Sequence, residues 1–145
     1  MMDIKIGKRT IPLFYSTFEM IAIQKEIGCT AFQLRDEVFG ITQEDEDDPM
    51  SLKFGVATDP EKTAKLGTLL RILGNAGLEE SGETGDLTDK WILRNMRPAL
   101  ITPYALAAMA VVNEGNKIEP PESDDDQGPV DEGLEAELAK KQPGN

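Results

Sequence analysis

Apolar positions recur every second residue at the start of the chain and every third or fourth residue after it. In "DIKIGKRTIPLFY", Ile4 and Ile6 point to one side, and Ile11 and Leu13 match them across a turn centred on Gly7-Lys8. That alternation predicts a β-hairpin. Pro12 lacks an N–H, so the second arm is expected to be an edge or to end early. A lone hairpin is marginal in water and needs another element to lean on.

The 3.6-residue period then takes over. In "STFEMIAIQKEIG", Ser16 and Glu19 have the spacing of a capping box, Phe18, Ile21 and Ala22 fall on one side, and Gly28 suits a left-handed helix end. "TAFQLRDEVFG" repeats that grammar with Thr30, Gln33 and Gly40. Glu44–Asp48 is a run of five like charges and reads as a flexible loop, with "SLKFGVA" after it as a candidate short strand. Asp59-Pro60 starts a helix with an N-cap acceptor and proline at its first position. Its apolar set is Ala64, Leu66, Leu69, Leu70, Ile72 and Leu73; Gly67 weakens it by about 1 kcal/mol relative to alanine, and Asn75 and Gly77 are expected to stop it. Thr88 or Asp86 caps "DKWILRNMR", which Pro98 breaks. Thr102-Pro103 is expected to start the last long helix, ending at Gly115. That helix is apolar nearly all round, the pattern of a helix at the centre of a bundle.

Beyond Asn116 the character changes. Pro120, Pro121 and Pro129, an acidic run and the lack of aromatic residues predict a disordered tail. The expected architecture is mainly α: residues 1–117 form a small bundle of about five helices with a short N-terminal β-hairpin, and residues 118–145 form a disordered acidic C-terminal tail.

Charge sharpens this division. The chain has a net charge of −12, from 27 acids and 15 bases. Residues 119–145 hold nine of the acids and two of the bases, so over half the excess sits in the tail. Phosphate backbones repel such a chain, which argues against direct nucleic-acid binding. The longest apolar run, "ALAAMAVV", is far short of the roughly 20 residues that span a bilayer. The first residues contain no apolar run of signal-peptide length. The expectation is a soluble, cytoplasmic protein without membrane contact.

The chemical inventory is thin. The sequence has no histidine, which removes the commonest general base and metal ligand, and leaves Cys29 without an imidazole partner. "GETGD" and "GNAG" lack the Lys-Ser/Thr of a phosphate loop. A calcium loop starting at Asp124 would place Pro129 where the turn requires glycine. The expectation is a non-catalytic protein with no cofactor and no metal. Adaptable apolar side chains are the better candidates for function. Met20, Leu69, Leu73, Trp91, Met96 and Met109 are the candidate partner-binding residues, with core filling as the plainer role for each.

The order of these segments resembles a known family. A short hairpin "IKIGKRTIPLFY" leads into "STFEMIAIQKEIG"; a helical block follows, then "TPYALAAMAVVNEG", then a charged end. Over residues 2–117 this is similar to the tail assembly chaperones of long-tailed bacteriophages and prophages. The resemblance implies a small helical protein that coats the apolar helices of the tape measure protein and keeps it soluble in the bacterial cytoplasm. It implies loss of the chaperone from the finished virion and frequent self-association into a homo-oligomer. It also implies a second, longer product, made by ribosomal frameshift, through which the tail tube protein is engaged. The Lys140-Lys141 pair is what an A-rich slippery codon pair encodes. Two other readings compete: a structural phage component, such as a head–tail connector or minor tail protein, and an acidic DNA-mimic inhibitor. The last would need carboxylates at phosphate-like spacing on ordered elements, whereas these acids crowd into a loop and the tail.

Overall fold

A computed structural model describes residues 1–117. The expected acidic tail, and with it the Lys140-Lys141 junction, lies outside the described residues. The fold is mainly helical: a β-hairpin and five helices around one core, with a second small hairpin.

The first hairpin pairs β1 (Met2–Ile6) with β2 (Arg9–Leu13), Ile4 opposite Ile11 and Ile6 opposite Arg9. Gly7 supplies the turn with φ 63°. Pro12 sits opposite Asp3, one position from the Ile4–Ile11 pair, in a strand that pairs on one side only, where a missing N–H is tolerated. Ile6, Ile11 and Leu13 are fully buried.

What the hairpin leans on is α3 (Pro60–Glu80), the longest helix, about 31 Å by its 21 residues. Asp59 caps it by accepting from the N–H groups of Glu61 and Lys62. The helix does not stop at Asn75 or Gly77 as its sequence suggests. A Cβ on Gly77 would lie 1.9 Å from the Pro12 carbonyl oxygen, so glycine is what lets the hairpin backbone touch the helix. Asn75 is a clamp: its side-chain amide donates to the Leu87 carbonyl and its Oδ1 accepts from the Leu87 N–H. The helix closes later, where Gly82 is left-handed at φ 84°, Glu83 N–H donates to Leu78 C=O, and Gly82 N–H donates to Glu79 C=O.

The shorter elements follow their caps. Ser16 and Glu19 form the capping box of α1 (Thr17–Glu26), and Gly28 ends it at φ 89°. Thr30 and Gln33 form a second box, but it caps a single 3₁₀ turn, Ala31–Gln33, that runs into the four-residue α2 (Leu34–Glu37). The acidic segment is not a plain loop. β3 (Ile41–Gln43) pairs with β4 (Leu52–Phe54), and the Gln43 side-chain amide sits 2.9–3.2 Å from the carbonyls of Asp45, Glu46 and Asp48. Ser51 adds bonds to Asp45 and Asp48. The carboxylates stay in water while their backbone is held from inside the turn.

Thr88 caps α4 (Asp89–Asn95) by accepting from the Trp91 N–H. After a 3₁₀ turn at Pro98–Leu100, α5 (Ile101–Asn116) begins before Thr102-Pro103. Pro103 falls in the first turn, where a missing N–H costs nothing. The last helix is not at the centre of the bundle. It buries one stripe, Ile101, Tyr104, Ala105, Ala108 and Val112, and leaves Leu106 and Ala110 in water. The central element is α3, in which ten residues are buried. Among the described residues, no helix is long and apolar enough to cross a membrane.

Candidate interaction surface

The six candidate partner residues separate into two groups. Leu69 and Leu73 are fully buried and Met96 nearly so, which corrects their placement on a contact surface: they belong to the hydrophobic core. The physical reason is the small residues of α3: Gly67, Gly74 and Gly77 let Leu93, Leu87 and the Pro12 backbone approach closely, so the large residues between them are covered. Trp91 is half-buried, with the Arg9 guanidinium 6.0 Å above its ring. Met20 is exposed, and Met109 is partly buried against the core.

Larger exposed groups lie where the sequence pattern gave them to the core. Phe18 is 76% exposed, Phe32 85%, and Ile21, Leu106 and Met20 are each near half. In α1 the core side is taken by Ile23, with Ala22 and Ile27 partly buried against it. Phe18 and Ile21 therefore face water. The usable signal was that α1 carries apolar residues on both sides; one side always remains when only one can be buried.

Two clefts run along the C-terminal half of α5. One, of about 380 Å³, has Ala31, Leu34, Phe39, Met109 and Val112 as its apolar walls, Phe32 at its edge, and Arg35 and Lys117 as its charged groups. The other, of about 330 Å³, lies between α5 and the open end of the first hairpin, walled by Met2, Leu13, Phe14, Tyr15 and Val111, with Glu114 at its margin. The Tyr15 hydroxyl bonds Asn116 at 3.3 Å between them. Gly115 lets the ring lie there: a Cβ on it would come within 2.4 Å of Tyr15.

Titratable groups are used structurally. Arg71 on α3 donates to Glu26 on α1 and to Asp89 on α4, the latter at 2.6 Å, and Asp89 also accepts from Thr68. The Glu26 hydrogen bond, with a smaller contribution from Asp89, raises the Arg71 pKa against the opposing effect of burial. Burial also raises the Tyr104 hydroxyl, which donates to the Lys5 carbonyl at 2.6 Å. The Cys29 thiol is pushed up by burial and then by Glu37. Among the described residues no three His, Cys, Asp or Glu side chains gather at metal-binding distance. The walls of the two clefts offer mainly apolar contact.

No protein-family model matches the chain, and neither does any curated protein or solved structure.

Proposed function

We propose that the protein is a non-catalytic phage tail assembly chaperone that binds apolar helices of the tape measure protein and keeps them soluble until the tail tube assembles. The observation that carries the reading is the set of large apolar side chains left in water, Phe18, Met20, Ile21, Phe32 and Leu106, together with two open apolar clefts, one of them lined by Phe32. Large apolar side chains left exposed in this number suit a surface that something else covers. Clefts walled by methionine and aliphatic groups suit a helix whose apolar face varies along its length. The net charge of −12 keeps a coated complex dispersed. The resemblance in segment order supplies the client. Action in the bacterial cytoplasm, loss from the virion, self-association and a longer frameshifted product belong to the same proposal.

Co-expression with the tape measure protein tests it. The client is expected to be soluble with the wild-type chain and to precipitate with a Phe32→Ser, Met109→Ser variant that melts normally. Equal solubility with and without this chain would end the reading. Finding the chain in purified particles by mass spectrometry would favour a structural tail or connector component instead.

A further inference from the structure

Residues 1–117 carry 18 acids and 13 bases, yet cations gather at one end of the fold. The Tyr104 hydroxyl holds the Lys5 carbonyl, and Arg97 lies close enough for its charge to act on that hydroxyl. The first hairpin's turn rests on the end of α4: a Cβ on Gly7 would sit 3.0 Å from Asn95 Oδ1, and Lys8 and Arg94 adjoin these two residues in sequence. Lys5, Lys8, Arg94 and Arg97 are all exposed. Among the described residues none of the four belongs to an ion pair; the pairs use Arg9, Lys53, Lys65 and Arg71. Arg9 is matched by Asp86, and the exposed Asp3 lies two residues before Lys5 on the same strand.

We infer that this basic face is a docking ground for the chain's own acidic segment, Asp124 to Glu132. Charge complementarity names the occupant, since residues 119–145 hold nine acids against two bases. Reach allows it. The segment departs from Lys117, at the far end of α5 from Tyr104, about 20 Å away at the helical rise. Asp124 follows Lys117 by seven residues, about 23–25 Å when extended. Asp131 follows by fourteen, a contour of about 46–50 Å at most. A single exposed ion pair contributes about 0–1 kcal/mol. The tether raises the local concentration to the order of millimolar, so several weak pairs act together without fixing one geometry.

The test places a nitroxide on Ser123→Cys in the full chain. Cys29 is buried with its thiol held protonated, so the label goes to the added thiol. The amide signals of residues 5–9 and 94–97 are expected to lose most of their intensity at low salt and to recover in about 0.5 M NaCl, where screening lengths drop to a few ångströms. An Arg94→Glu, Arg97→Glu variant with an otherwise unchanged spectrum is expected to keep full intensity at low salt. Loss confined to the neighbours of Lys117, loss spread evenly over the surface, or loss that salt does not relieve would overturn the inference. So would equal loss when the nitroxide sits on a separate, isotopically silent copy, because the contact would then be between chains.

Discussion

The helices α1 and α3 are both rich in large aliphatic residues, yet they spend them in opposite ways. In α3 glycines alternate with leucines, and each glycine marks a close neighbour: Gly67 meets Leu93, Gly74 meets Leu87, and Gly77 meets the Pro12 backbone. Small residues there let three elements approach, so the large residues between them have something to pack on. In α1 there is no such partner on the outer side, and Phe18 and Ile21 stay in water. Apolar content alone therefore does not say which helix is core. The placement of small residues beside the large ones does, because interiors need shape matching at full density.

If that contrast is right, enlarging a small residue in α3 does more harm than removing a large one from α1. Gly77→Leu has the largest expected effect. Its Cβ alone would overlap the Pro12 carbonyl, and a backbone group cannot swing aside as a side chain can. The hairpin must lift, for a loss of about 3 kcal/mol or more, read as a lower denaturant midpoint. A midpoint equal to wild type would mean that the hairpin does not rest on this helix.

Much of this was legible from sequence where a local rule decides. The Gly7-Lys8 turn, the Ser16–Glu19 and Thr30–Gln33 boxes and the Asp59-Pro60 start each depend on groups a few residues apart. The misplaced boundaries depend on distant ones. Asn75 and Gly77 look like a stop until Leu87 and Pro12 arrive to occupy them. The acidic turn looks unstructured because the bonds from Gln43 and Ser51 oppose a repulsion that sequence shows plainly. The surface residues were hidden for the same reason: which side of α1 is outside is set by where α3 lies.

The ion pairs of Arg71, which join α3 to α1 and to α4, come next. Arg71→Met leaves Glu26 and Asp89 without their shared cation. Both carboxylates are 43% exposed, so water replaces much of what is lost. The expected cost is about 1 kcal/mol by thermal or denaturant melting. The same change should loosen α1 more than α3, seen as faster amide exchange at Ile23 than at Leu70. Equal effects on both would erase the distinction drawn between a docked helix and a central one.

Tyr104→Phe probes the tie between α5 and the hairpin. Removing the hydroxyl leaves the Lys5 carbonyl with water as its remaining partner, at a cost of about 0.5–1.5 kcal/mol. It also changes the alkaline limb. In the unfolded chain tyrosine loses its proton near pH 10, whereas burial keeps Tyr104 protonated to higher pH in the fold. The unfolded state then binds fewer protons, so stability falls as pH rises above about 10. The phenylalanine variant should show a shallower fall there, with the Tyr15 contribution remaining. Parallel curves for the two proteins would show that Tyr104 titrates alike in both states.

The smallest effect on stability should come with the largest effect on binding. Phe18→Ser and Ile21→Ser remove apolar groups that the fold leaves in water, so the folded state has little contact to lose. Each is expected to shift stability by no more than about 0.5 kcal/mol. If α1's outer side is part of the client-binding surface, the double variant should melt like wild type and yet fail to keep the tape measure protein soluble. If it melts several degrees lower, those side chains are covered in solution, and by another copy of the chain if the melting temperature also rises with protein concentration. In that case the contrast between α1 and α3 would be one between two interfaces filled at different levels of assembly, rather than between a filled face and a waiting one.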